Sequence, residues 1–136
     1  MSDTAVDTRT VLVEREFAYP PEKLWRALTQ PHLIEEWLMK NDFQPVVGRQ
    51  FGLNAEWGAL TCEVLEVAPH TSLAYSWTGM GLESTVTWTL TPSAAGTHLR
   101  MEQVGFRADQ DQAYFGAKAG WPRFFKKLDD VVARLD

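Results

Sequence analysis

Residues 120–135 read GWPRFFKKLDDVVARL, and their pattern decides the architecture. Trp121, Phe124, Phe125, Leu128, Val131, Val132 and Leu135 recur at helical spacing and make one broad apolar stripe. A stripe this wide must lie against another layer, and the segments before it supply a sheet. From Val46 onward the apolar period is two, in stretches around Gln50 to Asn54, Leu60 to Val67, Leu73 to Thr78, Leu82 to Leu90 and Thr97 to Val104. The breaks between them, such as Pro69-His70-Thr71 and Pro92-Ser93-Ala94-Ala95-Gly96, suit hairpins and are too short for parallel crossovers. These five strands form an antiparallel meander that the stripe covers.

Working toward the N-terminus, Val11, Val13, Arg15 and Phe17 alternate with Leu12, Glu14 and Glu16, the pattern of a half-buried first strand. Pro21 opens a short helix to Thr29 carrying Leu24, Trp25 and Leu28. Pro31 opens a second, with Leu33, Ile34, Trp37 and Leu38 on one side. Just before the deciding stripe, Asp109 or Asp111 caps a stretch holding Ala113, Tyr114 and Phe115, but Gly116, Gly120 and Pro122 interrupt it. The expectation there is one kinked helix or two abutting ones. Residues 1–9 read as a flexible tail and 10–136 as a single domain. The whole is an α+β chain with a six-stranded sheet and two short helices between strands 1 and 2. Six twisted strands curl, and one helix covers only part of the concave face, so a gap between helix and sheet is expected.

The 136 residues leave no room for a cofactor domain beside a substrate domain. Thirteen basic against 18 acidic residues give a net charge of −5, the wrong sign for gripping phosphate backbones, so nucleic acid is not an expected partner. No apolar run exceeds three residues and the start MSDTAVDTRT has neither a basic n-region nor an apolar h-region, so no membrane insertion is expected. Together with a single cysteine, Cys62, this points to a cytoplasmic address.

Catalytic and metal-binding patterns are thin. His32, His70 and His98 are scattered without ligand spacing, so no metal site and no cofactor are expected. Cys62 sits between Thr61 and Glu63 with no base near it in sequence and reads as a small strand hydrophobe. Gly79-Met80-Gly81 starts like a dinucleotide fingerprint, but Ser84 stands at the third glycine position between two strands, which makes it a hairpin turn. Glu102 alternates outward, whereas both phases around Glu63 contain apolar residues and leave its direction open. No catalytic residue is assigned.

The aromatic surplus remains: six Trp, seven Phe and three Tyr must be core, interface or cavity wall. The residues expected to line the gap are Trp37, Leu73, Tyr75, Trp77, Val86, Trp88, Met101, Gln103, Trp121, Phe124 and Phe125. A plain core made of the same residues is the competing reading, since pockets and cores use the same residue types.

The run Tyr19-Pro20-Pro21-Glu22-Lys23-Leu24-Trp25-Arg26-Ala27-Leu28-Thr29, followed by Pro31, Leu33 and Trp37, Val47-Gly48, Pro69 and Leu73-Ala74-Tyr75-Ser76-Trp77, resembles one family. With Gly96-Thr97, Gly105-Phe106 and Gly120-Trp121 it is similar to the activator of heat-shock protein 90 ATPase homologue family of the START-like, or SRPBCC, superfamily. The resemblance spans Val11 to Leu135 and implies a helix-grip fold with a deep apolar cavity between a curved sheet and the terminal helix. Many members carry a histidine in the strand before the Gly-Phe pair, where this chain has Gln103, so a titratable group is replaced by a neutral amide. A fold does not fix a function. Binding of a small apolar or amphipathic molecule is the first expectation, as a monomer or homodimer. A chaperone- or regulator-docking module is the alternative, and a cyclase-type enzyme the second. Gly116, Gly120 and Pro122 mark where the helix would open to admit a ligand, unless Gly120 only lets the helix approach the sheet.

Overall fold

Strands with one apolar face and a helix with one apolar stripe find a common solution in two layers, and the computed structural model, which describes residues 8–135, has that form. The order is β1 (Thr8–Phe17), α1 (Pro21–Thr29), α2 (Pro31–Trp37), β2 (Lys40–Asn41), β3 (Gln50–Ala55), β4 (Gly58–Ala68), β5 (Ser72–Gly79), β6 (Leu82–Pro92), β7 (Thr97–Arg107) and α3 (Asp111–Ala133). All strands join one antiparallel sheet in the order β1-β7-β6-β5-β4-β3-β2. The hairpin-connected meander from β3 to β7 is as the alternation predicts, and β1 closes it by pairing with β7 along its whole length, Thr8 opposite Arg107 to Phe17 opposite Thr97.

The sheet has seven strands, not six. The addition is β2, where Lys40 and Asn41 pair with Asn54 and Leu53. Two residues carry no readable period, and the segment is pinned to the start of α2 and to its own neighbours by the Asn41 side chain. Its amide donates to the carbonyls of Pro31 (3.1 Å) and Met39 (3.0 Å), and its oxygen accepts the Phe43 N–H (3.1 Å). Thr8 and Arg9, read as tail, are paired in β1, while the rest of that segment lies outside the described residues. Leu38, expected on the second helix, follows its end and caps it, its N–H reaching the Ile34 carbonyl.

α3 is one continuous helix through Pro122, rather than two. Proline removes one i→i−4 bond and crowds the preceding turn. Pro122 faces solvent, and its neighbour Trp121 is 2% exposed, so packing on the inner face holds the helix together where propensity would break it.

The core is an aromatic interlock centred on Trp88. Its ring meets Trp37 edge-on at 5.6 Å, Trp121 edge-on at 5.6 Å and Phe125 in a stack at 5.7 Å. Each of these indoles places its N–H on a partner: Trp37 donates to the Ala27 carbonyl (2.8 Å), Trp88 to the Tyr75 hydroxyl (2.9 Å) and Trp121 to the Gln103 side-chain oxygen (2.7 Å). The polar handles are thus satisfied without solvent or ligand.

Candidate functional site

The two layers do not fill evenly. On the first half of α3 the positions that line the opening are Ala113, Gly116, Ala117 and Gly120, spaced to share one face, and a side chain added at either glycine would meet nothing within 4 Å. Gly120 is therefore not a close-packing glycine. What these small residues leave is a cleft of about 730 Å³, bounded by that face and by the turns β3–β4 and β5–β6. Trp77, Gln103, Phe106 and Trp121 make its inner wall, all buried, while Trp57 and Met80 stand at its mouth, 55% and 70% exposed.

Met80 owes its place to the turn. With φ of 55° at Met80 and 84° at Gly81, the two-residue link between β5 and β6 has both central residues left-handed, the form that matches strand twist in hairpins. A Cβ on Gly58 would lie 2.8 Å from the Met80 sulfur, so the thioether lies across the β3–β4 turn and ties the two tips together.

Gln103 is 1% exposed, and its amide is held at both ends. Its oxygen takes the Trp121 N–H, its nitrogen donates to Ser84 Oγ (3.0 Å), and that hydroxyl donates to the Trp77 carbonyl (3.0 Å). The relay links α3, β7, β6 and β5, holding the Trp121 indole and the Trp77 backbone. The neutral amide expected to face the cavity does so, as a positioning group with no proton to transfer.

Of the eleven residues expected to line the gap, Trp77, Gln103, Trp121 and Phe124 do. The other seven, Trp37, Leu73, Tyr75, Val86, Trp88, Met101 and Phe125, lie beneath it in the close-packed core, each at most 4% exposed. The reason is the Trp88 interlock, whose rings occupy the volume a deeper cavity would need. Reading by aromatic residue missed Trp57, Leu60, Met80, Phe106, Gly120 and Arg123. The signal for the helix side was present in the small residues at helical spacing, which sequence reading treated as weak points of a helix.

Among the described residues no titratable group with a marked shift faces the cleft. Burial pushes the Cys62 thiol up to about 12, opposed only by a hydrogen bond from the Thr78 backbone, so it behaves as a packed hydrophobe. Burial likewise raises the Tyr75 hydroxyl far above its usual range. Glu63 points to solvent, as do Glu56, Glu83 and His70. Among the described residues no three His, Cys, Asp or Glu side chains converge on a metal position.

One open antiparallel sheet with a long C-terminal helix laid along it fits the helix-grip class of α+β folds. The chain belongs to the family of activator of Hsp90 ATPase homolog 1-like proteins, whose model matches residues 18–133. Among solved structures it is similar to protein MLL2253 from Mesorhizobium loti, at 61% identity over 94% of this chain and 99% of that one, with a TM-score of 0.91. A protein from Rhodobacter sphaeroides is 30% identical over 93% of this chain and 94% of its own, with a TM-score of 0.78. DynU16, a protein in the dynemicin biosynthetic locus, is 26% identical over 92% of this chain but 47% of its own length, with a TM-score of 0.82. No curated relative matches the chain.

Proposed function

We propose that the chain binds a small apolar or amphipathic molecule in the cleft between the sheet and the first half of α3, and that it does so in the cytoplasm. The observation that carries this is the cleft itself. Its 730 Å³ falls in the range of small-molecule sites, roughly 300–1,000 Å³, and its wall is aromatic with a few fixed polar groups. The family's description raises a chaperone-docking reading, and exposed Trp57 and Phe115 are the side chains it would use. A cyclase-type enzyme needs an acid or base at its substrate. The described residues lining the cleft include no carboxylate, imidazole, thiol or phenol, which favours binding over turnover.

Titration with the neutral apolar dye N-phenyl-1-naphthylamine tests the reading. Trp77 and Trp121 lie in the wall, so binding is expected to quench tryptophan emission saturably, with one dye per chain. A flat titration in both dye and protein fluorescence would remove the cleft as a binding site and leave the docking reading.

A further inference from the structure

Resting on the binding reading, we infer that the cleft selects molecules with an apolar body and a carboxylate head, the head held by Arg123 at the mouth. Among the described residues that line the cleft, Arg123 is the one with a formal charge. It is also uncommitted: among the described residues it makes no ion pair, hydrogen bond or ring contact. Most of the chain's arginines are paired to a carboxylate. Acids outnumber bases by 18 to 13, and Arg9, Arg15, Arg100, Arg107 and Arg134 each have a carboxylate within 3.3 Å. Arg123 stands one position before Phe124 and three after Gly120, both also in the lining, so its stem leaves the helix at the edge of the apolar space.

The chemistry that fits is an anion joined to an apolar group. A guanidinium offers a planar fork that matches a carboxylate, and no acidic residue among the described lining competes for it. The apolar part is met by Phe124, Trp121 and Phe106, and Ala113, Gly116 and Ala117 leave the width for it. The surface as a whole carries the opposite sign, at −5, so general electrostatics disfavour anions and any preference for an acid must be local.

The test is competition against N-phenyl-1-naphthylamine by decanoate and decanol, a pair that differs only in the head, at low and moderate ionic strength. The acid is expected to displace the dye at about fivefold lower concentration than the alcohol at low salt, an advantage of the size an exposed ion pair with charged hydrogen bonds supports. Salt should erode it. In Arg123→Gln the ratio of the two displacing concentrations should fall to about one, each read against the dye affinity of that same variant, with circular dichroism checking that the exposed substitution leaves the fold intact. Lys126→Gln, an exposed neutralisation three residues along α3, should leave the acid's advantage intact. Equal displacement by acid and alcohol in the wild type, or an acid preference that survives Arg123→Gln or disappears equally in Lys126→Gln, would overturn the inference while dye binding preserved the cleft as a site. Failure of the dye and both competitors to bind at all would remove the cleft reading and this inference with it.

Discussion

The two halves of α3 lie against the same sheet and do opposite things. From Trp121 to Val132 the inward side chains are large, and Trp121, Phe125, Leu128, Val131 and Val132 are each no more than 2% exposed. From Asp111 to Gly120 only Tyr114 brings a ring to the sheet, against Phe106, and the positions that face the cleft, Ala113, Gly116, Ala117 and Gly120, carry a methyl group or nothing. The helix geometry is continuous across Pro122, so the difference is one of side-chain volume, and the same scaffold is stiffened at one end and hollowed at the other. Stability and binding should therefore separate along one helix.

The largest effect is expected in the filled half. Phe125→Ala deletes a ring that stacks on Trp88 and is 1% exposed, and should destabilise the protein by about 3–5 kcal/mol in urea unfolding. In the hollow half the sign reverses. Gly116 is helical with open space at its Cβ, so Gly116→Ala should raise stability by about 0.5–1 kcal/mol. A loss there would show that the first half of α3 needs glycine for a contact not described by the cleft.

Hydrogen exchange sharpens the comparison. Amides from Gln112 to Gly120, with few large side chains over them, should exchange faster than those from Phe124 to Val132, and should become protected when N-phenyl-1-naphthylamine is added. Uniform protection along the helix, unchanged by bound dye, would mean that no opening of the first half admits the ligand.

A smaller effect, remote from both halves, belongs to His98, whose ring contacts Glu14 (2.8 Å) and Glu16 (2.5 Å) across the β1–β7 pair. Hydrogen bonds donated to Glu14 and then to Glu16 raise the His98 pKa above its ordinary 6.5, and those accepted from Ser93 and then His98 lower that of Glu16 below 4.5. The histidine's contribution is present below pH 6.5 and is lost as pH rises through its raised folded value. The Glu16 contribution is present above pH 4.5 and is lost as pH falls through its lowered folded value. Both groups are exposed, so the change should be slight. Thermal melts should show wild type losing more stability than His98→Gln on the alkaline side of 6.5, and parallel profiles would rule the pairing out as a contributor.

The frame was readable because period carries it: two-residue alternation gave β3 to β7 to within a few residues, and Pro21 and Pro31 marked both short helices at their first residue. β2 was hidden because an asparagine side chain, rather than a pattern, holds it. The cleft was half readable. Trp77, Gln103, Trp121 and Phe124 were found as large or polar residues on inward faces, but Trp88 and Tyr75 look the same in sequence and lie in solid core. A ring's identity does not say whether its neighbours fill the space beside it. The residues that make the hollow, Gly116 and Gly120 with Ala113 and Ala117, act by the volume they lack, and Trp57 and Met80 reach the mouth through turn geometry that no periodicity encodes.

The most direct test of the central claim is a titration of N-phenyl-1-naphthylamine into the wild type and Gly116→Leu, with melting temperatures taken alongside. A leucine at 116 has room to form and fills the cleft from the helix side. The wild type should bind one dye with quenching of tryptophan emission, and Gly116→Leu should bind at least about tenfold more weakly while melting no lower, since leucine is the better helix former. Equal dye affinity in the two proteins, or weaker binding accompanied by a lower melting temperature, would contradict the claim that the hollow half of α3 is a binding site built from missing side chains.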